Sequence, residues 1–464
     1  MKATALILLL ATLRVCAKDS ATNPFPLLSP RTDHVPRMSF IQDHDIRLGI
    51  DLNLGGAITY LAPVTNLELN VINRHDWGRE IQLSYYSGPI PYHPPGTTLS
   101  TSWHSLGWNP IQAGDSYGFR SKVLQWTNTG DALYAKLVPM QWPLKNVPGK
   151  CECEVWLKLD GPVVEARCRL TNHRTDHAQY PARIQELPAV YLNAPFWRLL
   201  TYRGDKPFTG GALSQICDRL EVDGRWASWT ATEHWAALVD DSGWGVGVWN
   251  PEASVFSGGF FGSPGAGGPQ DESTGYIAPN RNEILDHNIV YEYRYELILG
   301  TLKQIRAHVY SRTVIPESLS FHFERNREGW YYANATDTGW PIRGELQVQP
   351  QAPHAQIFSP MFSLSAKAAP HLTIQAAFNS GQSNVTVCWR RLENNGFVAA
   401  QAQSFRVIPD GKIHRYDVNL GASPAYHGLI TQLRLDVFSA TNPAPSIGLK
   451  SVTLVPDAMT GGLK

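Results

Sequence analysis

Residues 46–61 read IRLGIDLNLGGAITYL, and this stretch sets the fold class. Ile46, Leu48, Ile50, Leu52 and Leu54 alternate with Arg47, Gly49, Asp51 and Asn53, which is the period of a strand with one face buried. Gly55-Gly56 supplies a turn and Ala57–Leu61 a returning strand. The same alternation recurs at Ser121–Trp126, Leu133–Pro139, Cys151–Leu159, Val163–Thr171, Trp235–Val239, Gly245–Trp249 and Ile289–Leu299. Helical periodicity is confined to Leu302–Tyr310. After Pro316 shorter strands follow at regular spacing: Leu319–Phe323, Phe358–Leu364, Leu372–Ala377, Asn384–Arg390, His414–Val418, Leu429–Phe438 and Leu449–Val455. That spacing is typical of a small β-sandwich. The expectation is an all-β protein, with a large two-sheet supersandwich over residues 38–315 and a jelly-roll β-sandwich over 316–464.

Composition agrees with this and narrows the partners. The chain has 464 residues with 40 Lys+Arg against 40 Asp+Glu, so nothing electrostatic points to nucleic acid or an anionic membrane. Charged residues make up only 17% while Trp, Gly and Pro are plentiful, a balance of loop-rich β structure rather than of helical bundles. Met1-Lys2, the apolar run Ala3–Leu13 and Val15-Cys16-Ala17 form a secretory leader with cleavage expected after Ala17. Residues 18–37, with four prolines, read as an extended lead-in. No segment reaches the length of a membrane-spanning helix. The expected location is extracellular, or periplasmic in a bacterium. Asn334-Ala-Thr336 and Asn384-Val-Thr386 are glycan acceptors in a eukaryotic source.

Five cysteines remain once Cys16 is removed with the leader. Asp160-Gly161 reads as a two-residue hairpin between Cys151–Leu159 and Val164–Leu170, a register that sets Cys153 opposite Cys168. A disulfide between them and two buried thiols are both open readings. The Cys-x-Cys at Cys151 has no nearby histidine to complete a zinc site, and no motif calls for a cofactor or another metal. The Gly-rich run from Phe256 to Gly268 lacks the lysine and helix start of a phosphate loop and reads as a loop over a cleft or a connector.

The chemistry-bearing residues begin at Asn73–Asp115, where Trp77, Tyr85, Tyr86, Tyr92, Trp103 and Trp108 stand among Asp76, Arg79, Glu80, Gln82, His104, Asn109, Gln112 and Asp115. Flat aromatic faces cover the C–H faces of a pyranose, and amides and carboxylates take its hydroxyls. Tyr85 and Tyr86 point to opposite faces of an extended segment, so one of them at most meets a ligand. Trp103–Asp115 is either a subsite wall or a loop capping the sandwich core. Arg79 is a clamp for hydroxyls or a carboxylate, or else a surface ion-pair partner. Glu186, at the start of an apolar run, is a candidate general acid, with a salt bridge to Arg183 as the alternative. Glu233 and His234, beside Trp235 at a strand entrance, form a second acid/base candidate.

The strand Ile46–Leu54, the Gly55-Gly56-Ala57-Ile58 turn and the following Gly78-Arg79 resemble the galactose-mutarotase fold. The resemblance implies a supersandwich in which the Gly-Arg segment lies near a sugar cleft. The paired histidines of the epimerases are not evident here, which argues against mutarotase activity. Gly329-Trp330, the Gly344–Leu346 strand entry, Phe358–Phe362, Arg415-Tyr416 and Leu449–Leu454 resemble galactose-binding-like jelly rolls, the scaffold of many carbohydrate-binding modules. A carbohydrate partner is therefore expected. The favoured reading is a secreted glycoside hydrolase using Glu186 and Glu233, with Asp76 in reserve. Arg79, Tyr85, Tyr86, Trp103, Trp108, Asn109, Gln112, Asp115 and Trp235 are then the residues around the sugar. A polysaccharide lyase, with His234 or Tyr85 as base and Arg79 or Gln112 neutralising a uronate, is one alternative. A non-catalytic glycan binder is the other.

Overall fold

The computed structural model describes residues 34–216, 226–379, 381, 383–438 and 446–456. The leader, most of the lead-in, Cys16 and Cys217 lie outside the described residues.

The alternating stretch that opens the chain forms the strand Ile46–Asp51, paired antiparallel with Met38–Gln42 and Ala57–Pro63. Leu52–Leu54 departs from the expectation and is a single 3-10 turn. Asp51 caps it, accepting from the Asn53 amide at 2.9 Å. Gly55 closes it at φ +60°, where a Cβ would lie 2.1 Å from the Gln112 carbonyl oxygen. Leu52 and Leu54 are still buried, so the apolar alternation runs on through a turn.

The first sheet has ten strands. Its central neighbours are Ala57–Pro63, Ile81–Ser84, Arg183–Asn193, Thr274–Glu283 and Val255–Phe261. The second sheet has nine strands, with Val290–Thr301 between Trp244–Trp249 and Val163–Asn172, followed by Cys151–Asp160 and Ala132–Val138. Ile46, Leu48, Ile50, Ile81, Leu83, Val190 and Leu192 from the first sheet face Val155, Leu157, Cys168, Tyr291, Tyr293 and Leu297 from the second, forming one large core. One helix, α1 (Leu302–Arg312), packs Ile305 and Val309 on the outer face of the second sheet against Trp235, Val239 and Ile298.

Two expectations need correction. The Cys151–Asp160 and Val163–Asn172 strands turn at Gly161-Pro162, one residue later than read. That sets Cys168 opposite Val155 and Cys153 opposite Leu170, so the proposed disulfide pair is not directly cross-strand. Cys151, Cys153, Cys168 and Cys388 are buried free thiols. The Gly-rich run is not all loop: Val255–Phe261 is an interior strand. Its glycines fit because strands crowd there, and a Cβ on Gly258 would lie 2.3 Å from the Tyr276 carbonyl oxygen.

From Leu319 onward two six-stranded sheets form a second sandwich around Phe323, Trp330, Trp389, Leu433 and Leu435. Phe358–Leu364, expected as one strand, ends the His354–Phe358 strand and runs into loop before the short Leu364–Ser365 strand. Ile284, from the first sandwich, is buried in this second core. The two units are also joined by charge. Arg327 lies 2.6 Å from Asp286 and 2.5 Å from Asp337, all three buried or nearly so. Gln179 adds a 2.6 Å bond to Asp337.

Candidate functional site

Strand alternation fixes which side chains leave the core on the first sheet. In Arg183–Asn193, Leu187, Val190 and Leu192 point inward, while Ala189 and Tyr191 point out. A bulge between Glu186 and Val190 lets Glu186 share the outer face. Thr274–Glu283 presents Tyr276, Ala278 and Asn280 on the same side, with Ile277 inward. Ser84 ends the next strand over, and Tyr86 follows two residues beyond it.

These residues converge. The Tyr276 hydroxyl donates to Glu186 Oε1 at 2.5 Å and the Tyr86 hydroxyl to Oε2 at 3.0 Å. The Ser84 hydroxyl donates to the Tyr86 oxygen at 2.9 Å. Tyr191 packs on Tyr276 with ring centroids 4.7 Å apart, and Trp226 packs on Tyr276 at 5.0 Å. Glu186, Tyr86, Tyr191 and Trp226 keep partial solvent contact, while Tyr276 is buried against Tyr191 and Trp226, so the carboxyl lies at the edge of an aromatic floor whose surface is Tyr191 and Trp226. Burial pushes the Glu186 carboxyl above the usual range, only partly offset by hydrogen bonds from Tyr276, Ser84 and Tyr86. Burial and the Glu186 charge push the Tyr86 and Tyr276 phenols well up, so at neutral pH they act as donors.

The Asp76–Glu80 segment borders this floor. Asp76 accepts from the Gly78 amide at 2.8 Å and pairs with Arg79 at 3.0 Å. Arg79 also donates to the Glu272 carbonyl. Asn73 donates to the Asp271 carbonyl at 2.8 Å, so the loop after Phe261 is fastened to the segment. Tyr191 lies in the field of Glu186, Asp76 and Arg79 together, and burial with the two carboxylates raises its phenol. Glu80, next to Arg79, adopts φ +114°, a conformation that side-chain-bearing residues rarely take and that is concentrated at functional sites.

Asp76, Arg79, Tyr86 and Glu186 are thus brought together, and the other expected site residues are not. Glu233 is fully buried on the far side of the sandwich. It is held by Arg306 at 2.9 Å, the Tyr310 hydroxyl at 2.6 Å, Trp235 Nε1 at 3.0 Å and the Phe208 amide at 2.9 Å. Both carboxylate oxygens are thus engaged, by Arg306 and Tyr310 of α1 and by Trp235 and Phe208 of other segments, which removes Glu233 from the acid/base pair. Trp235 itself is core. His234 lies at the junction of the two sandwiches, and burial lowers its imidazole to about 4, so it stays neutral at ordinary pH.

Tyr85 packs wholly in the core against Tyr291 and Tyr293, which leaves Tyr86 as the half-buried member of the pair, beside Glu186. Trp108 is core, with Arg174 over its ring at 5.1 Å. Asn109 donates to the Tyr85 carbonyl at 2.8 Å, and Gln112 bridges the Leu83 amide and the Gly55 carbonyl, each at 3.0 Å. Asp115 ties up the Tyr117, Phe119 and Asn146 amides. Trp103 packs edge-on against Trp142 at 5.7 Å. The Trp103–Asp115 stretch is therefore the loop that caps the core. Arg183 donates to the Leu106 carbonyl at 2.7 Å instead of pairing with Glu186.

Tyr191, Tyr276 and Trp226 were missed. Tyr191 carried a signal, since it alternates with Val190 and Leu192. Tyr276 lay in a stretch read as following a loop. Among the described residues no cluster of three or more His, Cys, Asp or Glu side chains is placed to hold a metal ion, and no helix is long and apolar enough to cross a membrane.

Neither a family model nor a curated protein matches the sequence. Among solved structures, the chain is similar to a galactose mutarotase-like protein from Lactobacillus casei at 13% identity, covering 57% of this chain and 100% of that one, with a TM-score of 0.37. It is similar to a galactose mutarotase related enzyme from Lactobacillus acidophilus at 11% identity, covering 57% and 97%, with a TM-score of 0.35. A low-affinity xylan-binding module from Roseburia intestinalis is similar at 16% identity over 31% of this chain and 98% of that one, with a TM-score of 0.21. The resemblance is to galactose mutarotase-like proteins and to no specific family.

Proposed function

We propose that this protein binds a saccharide on the Tyr191–Trp226 floor, backed by the buried Tyr276, and hydrolyses a glycosidic bond there. The observation that carries the reading is one carboxyl, Glu186, raised in pKa by burial and aimed by two tyrosine hydroxyls at the edge of an aromatic platform. Aromatic rings recognise sugar C–H faces, and a carboxyl that holds its proton longer than usual suits transfer to a leaving glycosidic oxygen. Asp76, buried and held at the border of the floor by Arg79 and the Gly78 amide, is the second carboxylate of this reading, and it would have to exchange that ion pair for water or the anomeric carbon to act. A separation of about 5.5 Å between the two carboxyls corresponds to retention of configuration, and roughly 6.5–9.5 Å to inversion.

Elimination is less well served. A tyrosine base would have to lose its proton beside Glu186, which opposes that ionisation. Arg79, the natural partner for a uronate at the reacting carbon, already holds Asp76. The expected secretion fits an enzyme that meets polysaccharide outside the cell.

The test is a panel of neutral and acidic polysaccharides assayed for new reducing ends and for ultraviolet-absorbing unsaturated products. Reducing ends without absorbance are expected. Glu186→Gln should lower turnover by about 10²–10⁴-fold while leaving glycan affinity in place. Unsaturated product would replace hydrolysis by elimination. Binding without turnover in the parent protein would leave a glycan-binding module.

A further inference from the structure

The outer face of the second sheet, on the other side of the sandwich from Glu186, carries three parallel rows of side chains running across its strands. In one row Glu165 stands opposite Glu296, and Arg312 neutralises both at 2.7 and 2.8 Å, with His308 on Glu296 at 2.5 Å. In another, Arg169 joins Glu292 at 2.5 Å and Glu154 at 3.3 Å. Between them the row reads Tyr134, Trp156, Arg167, Arg294, each directly opposite the next across adjacent strands.

This middle row is not neutralised. Arg167 and Arg294 are exposed and form no ion pair or hydrogen bond among the described residues, while the four neighbouring glutamates are all engaged. Two like charges directly opposite on neighbouring strands oppose folding, so the sheet gains nothing by itself from the pair. Arg167 is also oriented: its guanidinium carbon lies 4.1 Å from the centre of the Trp156 ring, and Trp156 is backed by Tyr134 at 5.3 Å. Stacking fixes the guanidinium plane and uses none of its N–H donors. The row lines an open cavity of about 790 Å³, bounded at one end by Trp249 and Pro251.

The geometry points to a second binding site here, for an acidic oligosaccharide whose carboxylate or sulfate is gripped by Arg167 and Arg294 together. Each guanidinium offers a fork of N–H donors that matches an oxyanion, the two arginines stand directly opposite on adjacent strands, and the cavity has the size of small-ligand sites. The oxyanion part stands on the unpaired arginines alone. The saccharide part rests on the hydrolytic reading of the Glu186 face. On that basis the site would hold an acidic polymer at a distance from the reacting bond.

The two readings separate experimentally. Calorimetric titration of the full chain at low ionic strength should show binding of a tri-galacturonate or of a sulfated oligosaccharide, whichever anion the site prefers, and much weaker binding of xylotriose. The double variant Arg167→Ala/Arg294→Ala should weaken binding of the preferred anion tenfold or more, remove most of its salt dependence, and melt at a temperature no lower than the parent. Glu186→Gln should leave this binding unchanged. Loss of turnover in Glu186→Gln with unchanged anion binding in the arginine variant would overturn the second site and spare the hydrolytic reading. Equal affinity for xylotriose, or tighter binding of a single-stranded oligonucleotide in competition, would also overturn it.

Discussion

Glu186 shows how neighbours set the proton affinity of one side chain. Its carboxyl is raised by burial, and the hydroxyls of Tyr276 and Tyr86 pull it back by stabilising the charged form. Removing one donor tips that balance. Tyr276→Phe should raise the Glu186 pKa further, so the limb of the rate–pH profile set by loss of that proton should move to higher pH. A profile of kcat/KM against pH checks this, and a limb that stays put or moves to lower pH would rule out Glu186 as the titrating acid. At this scale the sequence was informative in part. The period of two separated Tyr85 from Tyr86, and Glu186 was legible as a carboxyl at a strand edge. Asn109, Gln112 and Asp115 misled because buried loop backbone needs amides and carboxylates as much as a sugar does. Residue type alone does not separate those two uses.

At the scale of elements, helix α1 depends on a buried carboxylate. Glu233 receives four donors and has no exposed side-chain surface. Glu233→Ala would leave Arg306 without its partner in a half-closed site, so a loss of about 3–5 kcal/mol is expected, read as a fall in the denaturant midpoint. Turnover per folded molecule should be unchanged, whereas a catalytic Glu233 would lose activity without losing stability. The strands were largely readable where one face meets solvent. Cys151–Asp160 and Val163–Asn172 alternate cleanly, and Leu302–Arg312 carries a capping box at Thr301. Val255–Phe261 and Thr274–Glu283 were not read, because interior strands with small residues at crowded positions lose the polar half of the pattern. The hairpin at Gly161-Pro162 shows the cost of a one-residue error in a turn: the partner of Cys168 changes from Cys153 to Val155.

Across the whole molecule, the two sandwiches are coupled by Ile284 in the second core and by Arg327 between Asp286 and Asp337. Arg327→Ala removes the cation from two buried carboxylates, which keep only neutral donors such as Tyr332, Gln179 and the Trp340 amide, at a cost of about 3–5 kcal/mol. Because that cost falls on the junction, scanning calorimetry should resolve two unfolding transitions in the variant where the parent shows more nearly one. A single transition merely shifted downward would mean that the apolar contact alone holds the units together. The Arg167–Arg294 pair belongs to this scale as well, since its lack of carboxylate partners emerges only when four strands are laid side by side.

Taken alone, the sequence determined the all-β class, most of the solvent-facing strands and the helix at Leu302–Arg312, and it singled out Arg79, Tyr86 and Glu186 among its candidates. Those features are local: side-chain period, turn residues and capping act over a few positions. Only the tertiary structure decided which carboxyls share a face. Glu186 and Glu233 look alike in sequence, yet one is placed by a bulge among tyrosines on the outer face of its sheet and the other is consumed by an arginine, a tyrosine and a backbone amide from other segments and by its neighbour Trp235. The Asn73–Asp115 stretch, so rich in aromatic and polar groups, divides in the same way. Its Asp76–Arg79 end meets Tyr191 and the Glu272 loop, and its Trp108–Asp115 end closes the core, because pairing across the sheet, and not composition, sets which surface each side chain reaches.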